Sequence, residues 1–324
     1  MASISITPVS KDLPFGARVA GVTPENVADE SVRTQLNTAF EQHGVLVFEA
    51  VEPSIEMQVE VSKVFGPLRG HAYKGITTVK DGPPGVMELN RRPGEGDIFE
   101  VDGHQLVGWV PWHFDACYDR ALNRAGVLRV VESPPEGGLT GFADGIQMYR
   151  DVSPALRDKF EDLEILYHPK LMFVNMRYGR PRRIGLVHLS DRTNNMYEVN
   201  ADSPRAIHPA VWQRKSGEKV LHLAPWQADG ILGHEDEEGD ALLEAMIAEM
   251  KAVMTPYWHK WSPGELVIWD NWRLVHSASG HSPRHGRLVH RTTIEGDYGL
   301  GRWETEPEGA GAMEMGRASC RERV

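Results

Sequence analysis

The chain is expected to be a mainly β protein with flanking helices, a β-sandwich or jelly roll, and three observations predict it. From about residue 98 onward, short apolar runs alternate with Gly and Pro turns. Apolar stripes of helical period are confined to separate stretches between those runs. With 324 residues, 41% of them hydrophobic, the chain can bury one large core or two small ones.

Taken in order, Ile4 to Pro8 reads as an edge strand. Residues 30–43 set Val32, Leu36, Ala39 and Phe40 at helical spacing, with Asp29 as N-cap and Gly44 just past the end. Val45 to Phe48 follows as a buried strand, and Ile55 to Phe65 as a second helix stopped by Gly66-Pro67. Strands are expected at 125–132, 164–168, 218–223, 256–261, 265–269 and 286–294. A helix starts at Ser153-Pro154, a cap followed by proline at the first helical position. Another spans about 241–254, its stripe of Leu242, Leu243, Met246, Ile247, Met250 and Val253 facing the core. Segment 170–207 carries Arg177, Arg180, Arg182, Arg183 and Arg192 without clear periodicity, which reads as a lid-like insertion. Residues 1–302 form a single domain in this reading, and 303–324 a tail.

Composition narrows the function. A net charge of −11 disfavours a broad phosphate-binding surface and so nucleic acid as a partner. No apolar run approaches the roughly 18 residues of a membrane-spanning helix. MASISITPVSKD has no secretory pattern. Two cysteines, Cys117 and Cys320, make no disulfide framework. A reduced, cytoplasmic protein with no membrane partner is the expectation.

The common phosphate and nucleophile motifs are missing, which leaves histidine as the lead. The spacing H-x-[DE] can put an imidazole and a carboxylate on one metal ion, yet 14 His and 46 acidic residues supply about two such spacings by chance. Both occur, and context separates them. His234 and Asp236 lie in HEDEEGD, a charge run that reads as a solvated loop leading into a helix. His113 follows LVGWVPW, a strand-like stretch, and Asp115 beside it is costly to bury without a cation or an arginine. The best third ligand is His276, where the chain returns after the strand and turn of GELVIWDNW. Two His and one carboxylate with open positions suit a non-haem Fe(II) oxygenase, while a zinc hydrolase uses three ligands and one water. Downstream, Arg287 and Arg291 share one strand face with Val289 between them. Two inward guanidiniums require two anionic ligands, or one ligand and one acid of the fold.

Five blocks in order, FGPLRGH, WHFD, GGLTGFAD, HPAVWQRKSGEKVLHL and GELVIWDNWRLVH with RLVHRTTIEGD, carry a resemblance. Over about residues 4–298 the sequence resembles the TauD/TfdA group of Fe(II)- and 2-oxoglutarate-dependent dioxygenases, which includes taurine and aryloxyalkanoate dioxygenases. The resemblance implies a double-stranded β-helix, that is, a distorted jelly roll. It assigns Fe(II) to His113, Asp115 and His276, and the distal carboxylate of 2-oxoglutarate to Thr140 and Arg287. It points to His71, Tyr73, Trp109 and Arg291 as contacts of the primary substrate, Trp109 making the pocket more aromatic than in the taurine enzyme.

The implied reaction consumes O2 and 2-oxoglutarate, releases succinate and CO2, and hydroxylates an aliphatic C–H of a small or medium, anionic organic molecule. Asp115 favours hydroxylation over the halogenation of relatives that lack this carboxylate. A hydroxylated carbon bearing a sulfonate or aryloxy group would fall apart to an aldehyde or keto acid. Two other readings stay open on the sequence: a non-redox metal-dependent hydrolase or isomerase on the same barrel, and a non-catalytic ligand-binding barrel. The family resemblance also allows a homo-oligomer. Cys117 reads as a small buried hydrophobe, and Trp258, Trp261, Trp269 and Trp272 as packing around the barrel.

Overall fold

Val45–Phe48 is apolar and buried at every position. Successive side chains of a strand point to opposite faces, so both faces of this one need a cover. Val45 and Val47 pack with Phe15, Leu128, Phe142 and Trp269, whereas Leu46 and Phe48 pack with Leu36, Phe40, Met57 and Val61. Its antiparallel neighbour Leu266–Asp270 repeats the division, Val267 and Trp269 on one side, Leu266 and Ile268 on the other. The architecture follows: a sheet faced by a second sheet on one side and by helices on the other.

The computed structural model describes residues 4–70, 78–80, 82–170, 172–200 and 202–306. Among them, an eight-stranded sheet runs Ser5–Pro8, Ala17–Ala20, Val45–Phe48, Leu266–Asp270, Ala125–Glu132 and Arg287–Ile294, with Leu68–Arg69 and Met87–Arg91 both paired to the last. Only Ala17–Ala20 with Val45–Phe48 is parallel among these pairs. A six-stranded antiparallel sheet runs Ile184–His188, Ile98–Val101, His104–His113, Leu274–His281, Thr140–Asp144 and Tyr257–His259. Phe142 and Leu274 of this sheet join the core between the two. Gly126 is required there by close approach, since a Cβ at that position would lie 2.2 Å from the Trp269 ring.

The helices Glu30–His43 and Ile55–Phe65 cover the outer face of the eight-stranded sheet. Gly44, at φ 72°, ends the first by donating its N–H to Phe40 at 2.8 Å. Ser54 caps the second by accepting from the Met57 N–H at 3.0 Å. A further core gathers Phe114, Tyr167, Leu221 and Val275 under Leu243, Met246, Ile247 and Met250 of the helix Glu237–Val253.

Several expectations are corrected. Glu237–Val253 starts before residue 241, because the acidic run forms its first turn instead of a loop. Asp236 accepts from the Gly239 N–H at 2.8 Å, and Glu237, Glu238 and Asp240 lie at the positive end of the helix dipole. At Pro154–Phe160, Ser153 makes no side-chain cap; its hydroxyl donates to Glu249 at 3.1 Å. The 170–207 segment is not irregular: it holds Ile184–His188 and the helix Asp191–Asn200. Its Arg177 is paired with Asp240 at 2.8 Å. Trp303 is no loose tail but pairs with Ala206 at a sheet edge. Trp269 is fully buried, whereas Trp258 is 39% exposed against Trp112. Among the described residues, no helix is long and apolar enough to cross a membrane.

Candidate metal centre

The strand His104–His113 pairs antiparallel with Leu274–His281, and the register sets His276 opposite His113. Directly opposed residues share a face, so the two rings meet with centroids 4.1 Å apart. Asp115 follows the strand end, where the chain turns through Ala116 at φ 58°. Its Oδ1 lies 3.6 Å from His276 Nε2 and 3.9 Å from His113 Nε2. All three donors fall within 4.8 Å of one another, and all three residues are buried. Donors so placed can share one ion at about 2 Å from each.

Their protonation suits a cation. The His113 Nδ1 donates to the Pro111 carbonyl at 2.8 Å, in the tautomer that turns the Nε2 lone pair toward Asp115. Burial, reinforced by His276, pushes the His113 pKa down to about 3, so the imidazole is neutral. Burial alone would raise the Asp115 carboxyl, but Arg291 and His276 hold it well below its usual range. Arg291 donates to Asp115 Oδ2 and lies over the Trp269 ring, 5.4 Å from its centroid. The His276 Nδ1 is buried with no hydrogen-bond partner. Two imidazoles and one ionised carboxylate, already converged, fit a divalent metal.

The two arginines have separate fates. Arg291 meets an acid of the fold; Arg287 meets none among the described residues, and its buried Nε is unpartnered. Arg287 stands beside the turn before Thr140, its Nε 3.5 Å from where a Gly138 Cβ would be. Burial and the neighbouring Arg91, directly across the strand pair, push the Arg287 pKa down to about 10. Two guanidiniums thus lie side by side, Arg287 and Arg91. Thr140 is buried, its hydroxyl accepting from Trp261 Nε1 at 3.1 Å.

Trp109 belongs to an aromatic wall. Its ring meets Phe173 edge-on at 5.3 Å, Phe173 meets Trp226 at 4.9 Å, and Trp226 meets His113 at 5.2 Å. His71 and Tyr73 lie outside the described residues. Cys117 is buried, donating to Gln227, and is not among the grouped donors. A cavity of about 610 Å³ opens beside Arg91, lined also by Leu89, Asp97, His188, Arg192 and Met196.

Arg91, Phe173, Trp226 and Asn271 are site residues that sequence reasoning missed. Arg91 ends a short strand, and the two aromatics sit in segments without period; only the fold sets Arg91 across from Arg287, Trp226 against His113 and Phe173 against Trp226. Asn271 was visible as a turn residue of WDNW, but its partner is 156 positions away.

Comparison with known proteins identifies the family. The model of the family described as "Taurine catabolism dioxygenase TauD, TfdA family" matches residues 5–293. The (S)-phenoxypropionate/alpha-ketoglutarate-dioxygenase of Sphingobium herbicidovorans is 27% identical over 88% of this chain and 93% of its own. Pentalenolactone F synthase of Streptomyces arenae is 24% identical over 94% of this chain and 99% of its own. The crystal structure of a taurine dioxygenase from Burkholderia xenovorans shares the fold at TM-score 0.68, with 23% identity, covering 94% of this chain and 97% of that one.

Proposed function

The chain belongs to the TauD, TfdA family and is an alpha-ketoglutarate-dependent dioxygenase, and from that premise we propose that it uses Fe(II) to hydroxylate an aliphatic C–H of a small or medium anionic substrate. The observation that carries this reading is the convergence of His113, Asp115 and His276 on one point. The two facing sheets then correspond to the double-stranded β-helix that the sequence implied. The hydrolase and the non-catalytic barrel give way to family membership.

In this reading His113, Asp115 and His276 hold the ferrous ion. Bound there, iron supplies the redox chemistry by which O2, 2-oxoglutarate and R–H become succinate, CO2 and R–OH. Pro111 keeps His113 in the ligating tautomer, and Arg291 keeps Asp115 ionised. Arg287 and Thr140 take the distal carboxylate of 2-oxoglutarate, with Arg91 adding positive charge beside them. Trp109, Phe173 and Trp226 exclude water and pack the apolar part of the substrate. The 170–207 segment, which contributes Phe173, serves as the lid of a single domain. His71, Tyr73 and Arg291 remain the candidates for the substrate's acidic group, with Arg291 shared between that group and Asp115.

The test is succinate formation and oxygen uptake with Fe(II) and 2-oxoglutarate across sulfonates, aryloxyalkanoates, amino-acid derivatives and sulfate esters. One class should stimulate turnover, and His113→Ala should abolish it. Equal rates in the variant and the wild type would overturn the reading.

A further inference from the structure

Of the three converged donors, Asp115 alone lies off a strand. The strand ends at His113, and Ala116 immediately after Asp115 adopts φ 58°, a left-handed conformation that strains any residue with a Cβ. One local bond closes the turn, the Asp119 N–H donating to the Ala116 carbonyl at 2.8 Å, but it leaves the Asp115 N–H and carbonyl to be met from elsewhere. What holds it comes from the far end of the chain.

Asn271 is fully buried at the turn after Leu266–Asp270, five residues before His276. Its Oδ1 accepts from the Asp115 N–H at 2.7 Å, and its Nδ2 donates to the Asp115 carbonyl at 3.0 Å. One amide thus grips both backbone polar groups of the residue that carries the carboxylate. The same Nδ2 lies 3.2 Å from the Asn123 carbonyl and 3.3 Å from Asn123 Oδ1. The Asn271 N–H donates to the Arg124 carbonyl at 3.1 Å, so the grip is itself anchored. The chain that delivers His276 therefore also sets the height and rotation of Asp115. Arg291 then orients the outer carboxylate oxygen, leaving Oδ1 toward the imidazoles.

We propose that Asn271 is the positioning residue of the metal centre: its amide clamps the Asp115 backbone against the strain at Ala116 and so fixes the carboxylate toward His113 and His276. The proposal rests on the reading that these three residues hold the metal. Groups that orient ligands are commonly worth 10- to 100-fold in metal affinity.

The test is Co(II) titration of the metal-free protein, read as a dissociation constant and as the visible d–d spectrum. Asn271→Ala should bind Co(II) about 10- to 100-fold more weakly and shift the d–d bands, because the carboxylate is no longer presented. Leu36→Ala, which opens a cavity in the remote helix Glu30–His43, should lose thermal stability while both readouts stay as in the wild type. Asn271→Ala with affinity within twofold of wild type and superimposable bands would overturn the proposal. Should Asn271→Ala not fold, Asn271→Asp keeps the acceptor for the Asp115 N–H but loses the donor to its carbonyl; it should weaken binding severalfold, and unchanged affinity overturns the proposal there too. Tight Co(II) binding by His113→Ala would instead bring down the metal-site reading itself, a result distinct from either Asn271 outcome.

Discussion

At the scale of single residues, the contrast between Arg287 and Arg291 organises the site. Arg291 is paired with Asp115, an acid of the fold. Arg287 is buried beside a second arginine, and that arrangement is unfavourable until an anion arrives. A charge-assisted hydrogen bond contributes about 1.5–3 kcal/mol. Arg287→Leu should therefore raise the 2-oxoglutarate KM by about 10- to 100-fold with little loss of fold stability. A KM unchanged in that variant would show that the distal carboxylate lies elsewhere. Asp115→Ala should do more damage than its size suggests, because it removes a metal donor and leaves Arg291 buried and unpaired. Both Co(II) binding and the thermal midpoint should drop, and a variant that lost only metal would contradict the pairing.

At the scale of elements, the helix Asp191–Asn200 lines the cavity, packs Met196 on the core and has its N-terminal end tied to one acid. Asp97 accepts from the Ser190 N–H at 2.9 Å, the Ser190 hydroxyl at 2.8 Å and the Thr193 hydroxyl at 2.6 Å. Asp97→Ala should leave the sheets intact and free this helix. Hydrogen exchange of its amides should accelerate at least tenfold, a loss of about 1.4 kcal/mol of local protection, while the core strands keep theirs. Uniform acceleration over the whole chain would mean that the helix is not a separate unit. Leu36 belongs to the opposite regime. It is fully buried under the eight-stranded sheet, and Leu36→Ala should cost about 2–5 kcal/mol in urea unfolding.

At the scale of the molecule, buried neutral histidines set the response to acid. His208 Nε2 donates to the Asp119 carbonyl at 2.8 Å, and burial pushes its pKa down to about 4. His222 stacks on Phe114 at 3.7 Å, and burial, then His208, push its pKa down to about 3. Unfolded histidine titrates near 6.5. Between those values the unfolded chain binds protons that the folded chain refuses. Stability contributed by these groups is thus complete above about pH 6.5 and is lost as the pH falls toward 4. Urea midpoints measured from pH 8 to pH 4.5 should hold steady and then decline below about 6.5. A flat profile between pH 7 and 5 would contradict neutral burial of this pair.

Much of this protein was legible in the chain alone, for a local reason. Val45–Phe48, Glu30–His43 and Arg287–Ile294 were readable because period, caps and turn residues act over a few positions. His113 and Asp115 were readable because their spacing follows an apolar strand, and His276 through its place in an ordered set of motifs. The acidic first turn of Glu237–Val253 was misread because charge at a helix start and charge in a loop look alike in one dimension. Which arginine met the acid, which aromatic rings reached His113, and which side chain braced Asp115 depended on strand register and on contacts across more than a hundred positions. Periodicity and composition carry no information about such pairings; burial decides them, because a polar group inside the fold must find its partner wherever the sheets place one.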